Sequence, residues 1–189
     1  MNTKGFNFLD ILVAKWRLGR VENKINKGDK VLDFGCGTQG YLIRDIRQKI
    51  SYGLGLDADV ENSVEGNLEF KKLRYRGKLD LGNKKFNKIV MLAVLEHIEP
   101  QKVNNLIAEF GRILENRGQI IMTTPTKLAK PLLVTLARLG VLSKEEIFDH
   151  KKYWDWSDIN ALAKSTGFTV VSYKLFQWGL NSEITMEKI

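Results

Sequence analysis

One segment constrains this chain more than any other: Val31-Leu32-Asp33-Phe34-Gly35-Cys36-Gly37-Thr38-Gln39-Gly40. A short apolar run, Lys30 to Phe34, ends in Gly35, Gly37 and Gly40, and a helical pattern follows roughly from Gln39 to Lys49. Glycine lets the backbone turn tightly and lets a ligand approach the main chain. The unpaired N–H groups at a helix start favour negative charge. Asp57 closes the next apolar run, Ser51 to Leu56, where a carboxylate can accept hydrogen bonds from both hydroxyls of a ribose. The glycine spacing literally matches G-x-G-x-x-G, the dinucleotide fingerprint.

The rest of the pattern fits a sheet covered on both faces. Leu68 to Leu73, Lys88 to Ala93 and Gly118 to Thr123 read as further strands, the second of them apolar without alternation after its first lysine. Helical stretches run over Phe8 to Asn26, Gln101 to Glu115 and Ser157 to Thr166, the last capped by Asp155 or Ser157 and stopped at Gly167. Thr169 to Phe176 and Ser182 to Lys188 form a closing antiparallel pair across Trp178 to Asn181. The expected fold is α/β: a Rossmann-like doubly wound sheet of seven strands, the last antiparallel, with helices on both faces. At 189 residues the chain is read as one domain, 1–189.

Composition narrows the function. A single cysteine, Cys36, excludes a disulfide framework, and no group of His, Cys and acids has metal-ligand spacing, so no metal is expected. Apolar runs break well short of the roughly 20 residues of a membrane span, and no signal peptide is visible, so the expected location is the cytoplasm. The net charge is +8, and Lys71 to Lys88 holds eight basic residues against Asp80 alone. Such a segment either is a solvated loop or meets an anion, a nucleic acid or an acidic membrane surface.

Asp33 favours one of two ligands for the glycine turn. A carboxylate two residues before the first glycine repels a pyrophosphate, but it suits S-adenosylmethionine, which carries an ammonium and a sulfonium. A hydride-transfer enzyme also needs a substrate domain, for which 189 residues leave no room. A NAD-dependent oxidoreductase and a cofactor-binding protein without catalysis remain as alternatives.

Four segments together resemble class I S-adenosylmethionine-dependent methyltransferases, in particular small-molecule members. VLDFGCGTQG is similar to their first motif, and Gly55 to Asp59 (GLDAD) to the second, with its ribose-binding acid. Phe86 to Pro100, with Val-Leu-Glu-His, resembles the fourth-strand motif, and Arg112 to Thr126 the helix and strand that follow. The resemblance implies S-adenosylmethionine as cofactor. It would be held by Asp33, Gly35, Cys36, Gly37, Thr38, Gln39, Gly40, Asp57, Ala58, Leu92 and Ala93. The chain departs from the pattern at Gln39, where a third glycine is common, and at Phe86-Asn87 in place of Phe-Asp. No acid follows the third strand near the expected adenine position.

A sulfonium already activates the methyl group, so the protein chiefly aligns an acceptor behind it and excludes water. A hydroxyl acceptor gains from a base. The candidates are the chain's two histidines, His97 after the fourth strand and His150 before the last helix. Thr124, Tyr153 and Trp154 are candidate acceptor contacts. By that resemblance residues 127–152, with the apolar run Leu128 to Leu142, form a candidate lid over the acceptor, the alternative being a helix packed on the body or in a dimer interface; a lid implies an apolar or lipid-linked acceptor or loose membrane contact. Cys36 lies in the cofactor turn and is no nucleophile, and no Asn/Asp-Pro-Pro-aromatic tetrad follows the fourth strand. The expected activity is therefore methyl transfer to a small apolar or anionic molecule. An RNA or protein methyltransferase using residues 71–88 is the second reading.

Overall fold

The computed structural model describes residues 18–139 and 147–189. Phe8 to Arg17 of the expected first helix and 140–146 of the expected lid lie outside them; residues 18–22 are helical.

The strands are β1 Lys30–Phe34, β2 Tyr52–Asp57, β3 Ser63–Glu65, β4 Leu68–Lys72, β5 Phe86–Leu92, β6 Leu114–Pro125, β7 Phe168–Phe176 and β8 Asn181–Lys188. The helices are α1 Tyr41–Asp45, α2 Pro100–Ile113, α3 Ala129–Arg138 and α4 Trp156–Ser165, with a 3-10 turn at Leu95–His97. One sheet runs in the order β3-β4-β2-β1-β5-β6-β8-β7. β4, β2, β1, β5 and β6 are mutually parallel, and β8 is antiparallel to both β6 and β7. This is the doubly wound arrangement expected, with one strand more than seven. The addition is β3, paired antiparallel to β4 at the sheet edge. Its three residues are too few to show a periodicity, and Val64 stays exposed.

Alternate residues of each central strand feed two cores. Val31, Val90 and Ile121 face Val21, Ile25, Leu42, Ile43 and Ile46, from the N-terminal segment, α1 and the turn that follows it. Leu32, Ile89, Met91 and Ile120 face Val103, Leu106 and Phe110 of α2 and Ile159 and Leu162 of α4. That two-sided burial explains why these strands lack polar alternation. α1 is shorter than the expected 39–49 helix. Gly40 stands in the left-handed region at φ 57°, so the helix begins only at Tyr41, and beyond Asp45 the chain turns. α4 opens on a full capping box: Asp155 accepts from the Asp158 backbone N–H at 3.0 Å, and the Asp158 carboxylate accepts from the Asp155 N–H.

β1 and β5 are neighbours from which the chain leaves in opposite directions across the sheet. The crevice outside their C-terminal ends is the topological switch point, the usual ligand position in such sheets.

Candidate active site

The β1–α1 turn reaches that crevice, and its glycines serve different ends. A Cβ at Gly35 would stand 2.3 Å from Val94, and one at Gly40 would stand 2.2 Å from Phe70. Both are required by the protein's own packing. Gly37, at φ 67°, has nothing within 4 Å of its notional Cβ, so its left-handed conformation keeps open space beside the turn. Arg44 braces the loop from behind: its Nε donates to the Gln39 carbonyl at 2.8 Å, and its guanidinium pairs with Glu65 and lies over the Phe70 ring. Gln39 thus contributes a backbone carbonyl to the brace. A cavity of about 190 Å³ opens along the turn. Its lining includes Asp33, Gly35, Cys36, Gly37, Thr38, Gln39 and Leu92 from the expected set, and it adds Leu18, Tyr41 and Leu42.

Asp57 stands at the C-terminal end of β2. Its Oδ2 accepts from the Gly37 N–H and its Oδ1 from the Asp59 N–H, each at 2.9 Å. These bonds orient the carboxylate and leave each oxygen further acceptor capacity, the arrangement a vicinal diol needs. Asp33 is 3% exposed, and among the described residues no hydrogen bond reaches its side chain. Burial, then the charge of Asp57, push its carboxyl up to about 7. A buried acid at a cavity wall is poised to meet a cation. Burial and the two nearby acids also raise the Cys36 thiol, which keeps it protonated and unreactive.

Leu92 ends β5, and Ala93 follows in the left-handed region at φ 56°, its N–H bonded to the Thr123 carbonyl at 2.9 Å. This strained step turns the chain away from the sheet edge into the 3-10 turn. Ala58 is half-buried beside Asp57.

The two histidines, distant in sequence, come together: their ring centroids are 4.8 Å apart, edge to face. His97 Nδ1 lies 3.2 Å from Asp149 Oδ2. Lys151 and then His97 hold the Asp149 carboxyl below its usual range. An ionised carboxylate only accepts, so Nδ1 of His97 carries the proton and Nε2 the lone pair in the neutral ring. His150 Nδ1 lies 3.0 Å from the Tyr153 hydroxyl. Glu96, 1% exposed, accepts from Thr124 Oγ1 at 3.2 Å. Thr124 and Tyr153 therefore join the histidine cluster. Trp154 does not: it is 5% exposed and packs in the main core. Glu96 and Asp149 were not singled out from sequence. The available signal is the same for both: Glu96 directly precedes His97, and Asp149 directly precedes His150.

The basic segment does not form one face. Lys71 and Lys72 lie at the C-terminal end of β4, whereas Lys88 lies near the N-terminal end of β5, bonded to Gln119 at 2.6 Å. Lys71 and Lys84 both pair with Glu69, at 2.9 and 2.5 Å. A second hollow of about 380 Å³ lies against β4, with Asn62, Lys72, Leu73 and Asp80 in its lining.

A family profile described as a methyltransferase domain matches residues 12–173. The chain belongs to this family. It is a class I S-adenosylmethionine-dependent methyltransferase, and a buried carboxyl at Asp33 and an oriented carboxylate at Asp57 are compatible with that donor. Among curated protein sequences none matches the methyltransferase. Among solved structures it is similar to the magnesium protoporphyrin IX methyltransferase from Synechocystis PCC 6803, determined with bound S-adenosylhomocysteine. That pair has a TM-score of 0.67 and 14% identity, over 100% of this chain and 90% of the other. The PH0226 protein from Pyrococcus horikoshii OT3 aligns with TM-score 0.67 and 22% identity over 95% and 92% of the two chains. CalO1, a methyltransferase of calicheamicin biosynthesis, aligns with TM-score 0.71 and 11% identity over 96% and 55%. At these identities the likeness concerns the fold.

Proposed function

We propose that the methyltransferase acts on an oxygen of a small, largely apolar molecule, with the His97–His150 cluster handling the acceptor's proton. The observation that carries this reading is the meeting of the two histidines, Glu96 and Tyr153 just beyond the C-terminal ends of β5 and β6. Asp57 takes the ribose of the donor, Gly37 leaves room for it, and Asp33 compensates its positive charge. Leu92 and Ala93 form the wall between donor and acceptor. The lid region supports an apolar acceptor, since Leu128, Leu132, Leu139 and Phe148 all carry exposed side chains there. The names of two structural neighbours agree with a small acceptor, being methyltransferases of magnesium protoporphyrin IX and of calicheamicin biosynthesis.

The split basic segment argues against the RNA reading, because half its charges are engaged by Glu69, by Gln119 or, through Lys85, by a backbone carbonyl. The test is methyl-labelled S-adenosylmethionine added with the purified protein to a fractionated cell extract. Label is expected in low-mass, organic-extractable product. Label in RNA or protein, with activity falling steeply as salt rises, would overturn the small-molecule reading, since each phosphate contact releases counterions.

A further inference from the structure

Glu96, His97 and His150 each bring one potential ligand atom into a cluster whose members lie within 4.8 Å of one another. We propose that these three residues form a divalent-cation site, of the two-imidazole, one-carboxylate kind that takes a first-row transition ion such as zinc.

The donor set selects the ion. Imidazole suits zinc and its neighbours, whereas magnesium and calcium take oxygen ligands. The distances are compatible. Three points at most 4.8 Å apart lie within about 2.8 Å of a common centre, and zinc bonds run about 2.0–2.2 Å. An inward shift of less than about 1 Å per side chain closes the shell. The supporting contacts are also present. Asp149 receives the Nδ1 proton of His97, the carboxylate–imidazole arrangement that fixes the ring of a metal-ligating histidine. Thr124, at the end of β6, holds the buried Glu96 carboxylate. His97 and His150 are both part-exposed, so an ion can enter from their side.

Three protein ligands leave coordination positions open, the pattern of a catalytic rather than a structural ion. An acceptor hydroxyl bound at such a position gives up its proton more readily. This deepens the proposed methyl transfer and rests on that reading: the ion would lower the pKa of the acceptor hydroxyl, its proton would pass to solvent water on the part-exposed side of the two histidines, and the imidazoles would serve as ligands rather than as bases.

The experiment uses the full chain stripped of metal by chelation. Zinc chloride is titrated calorimetrically, and cobalt chloride is followed by its visible absorption. One ion per chain is expected, with the intense cobalt bands of a low-coordinate site. His150→Gln and Glu96→Gln should each weaken zinc binding by roughly 100-fold or more, and Asp149→Asn by about 10–100-fold. Circular dichroism checks that each variant is folded, and His97→Gln, on a part-exposed side chain, stands in if Glu96→Gln is not. Absence of saturable zinc binding, or binding that survives both histidine substitutions, overturns the site. S-adenosylhomocysteine binding by the same metal-free protein reports on the donor pocket separately. A failed zinc titration beside intact product binding therefore removes the cation site and leaves the methyl-transfer reading standing.

Discussion

Asp33 is the residue whose chemistry is most exposed to test. Its carboxyl sits near 7 in the folded protein because it is buried and faces Asp57, against an ordinary value of 3.8. The folded state therefore keeps a proton that the unfolded chain releases between about pH 4 and 7. Stability of the unliganded protein falls as pH rises through that window, the sign for a carboxyl whose folded value is raised. A cationic ligand beside Asp33 reverses the shift, so binding expels a proton near neutrality. Affinity for S-adenosylmethionine should rise up to about tenfold per pH unit below 7 and level off above it. Calorimetry in buffers of different ionisation enthalpy reads the released proton, and Asp33→Asn should abolish both pH dependences. An affinity independent of pH from 5.5 to 7 would remove Asp33 from the donor's charge contacts. Asp57→Ala should cost about 1–3 kcal/mol of affinity above pH 7, where Asp33 is ionised in either protein, the usual loss for hydrogen bonds to a charged group.

At the level of elements, α4 depends on its first turn. Asp155 caps the helix, accepts from Ser157 and pairs with Lys127 at 2.5 Å, joining the start of the lid region to the helix behind it. Lys127 first, then the Asp158 N–H, hold its carboxyl well below the usual range. Asp155→Ala should lower stability by about 1 kcal/mol, read as a lower urea midpoint with unchanged slope. That cap was legible in the sequence, as were the parallel strands and the glycine turn, because each depends on spacing within one segment. Burial on both faces left the central strands uniformly apolar, and a capping acid stands next to the helix it starts. The histidine cluster was not legible. His97 and Glu96 come from the end of β5, whereas His150, Asp149 and Tyr153 come from the approach to α4, and only the packing of α4 on the sheet brings the two segments together. The edge strand β3 escaped for the opposite reason: its residues are mostly exposed, so burial leaves no mark on them. Tyr153 and Trp154 both suit either a pocket lining or a core by residue type; in the extended approach to α4 their side chains diverge, one to the cluster and one to the core.

The whole molecule is organised around its last strand. β8 lies between β6 and β7, pairs with both, and buries Ile184 and Met186 in the main core. Its Glu183 and Thr185 hold Lys24, each at 2.5 Å, so the beginning of the described chain is fastened to its end. Removing residues 181–189 should therefore leave an expanded protein that binds no S-adenosylhomocysteine and shows no cooperative thermal transition; a truncated chain that still melted sharply would contradict this. The same placement has a consequence for synthesis on the ribosome. Strands β1 to β6 emerge first and can pair in order, but β7 has no partner until β8 arrives to fill the space beside β6. For that interval the open edge of β6 faces solvent or a chaperone rather than the rest of the sheet. The nascent chain should be most aggregation-prone while β8 has yet to be made.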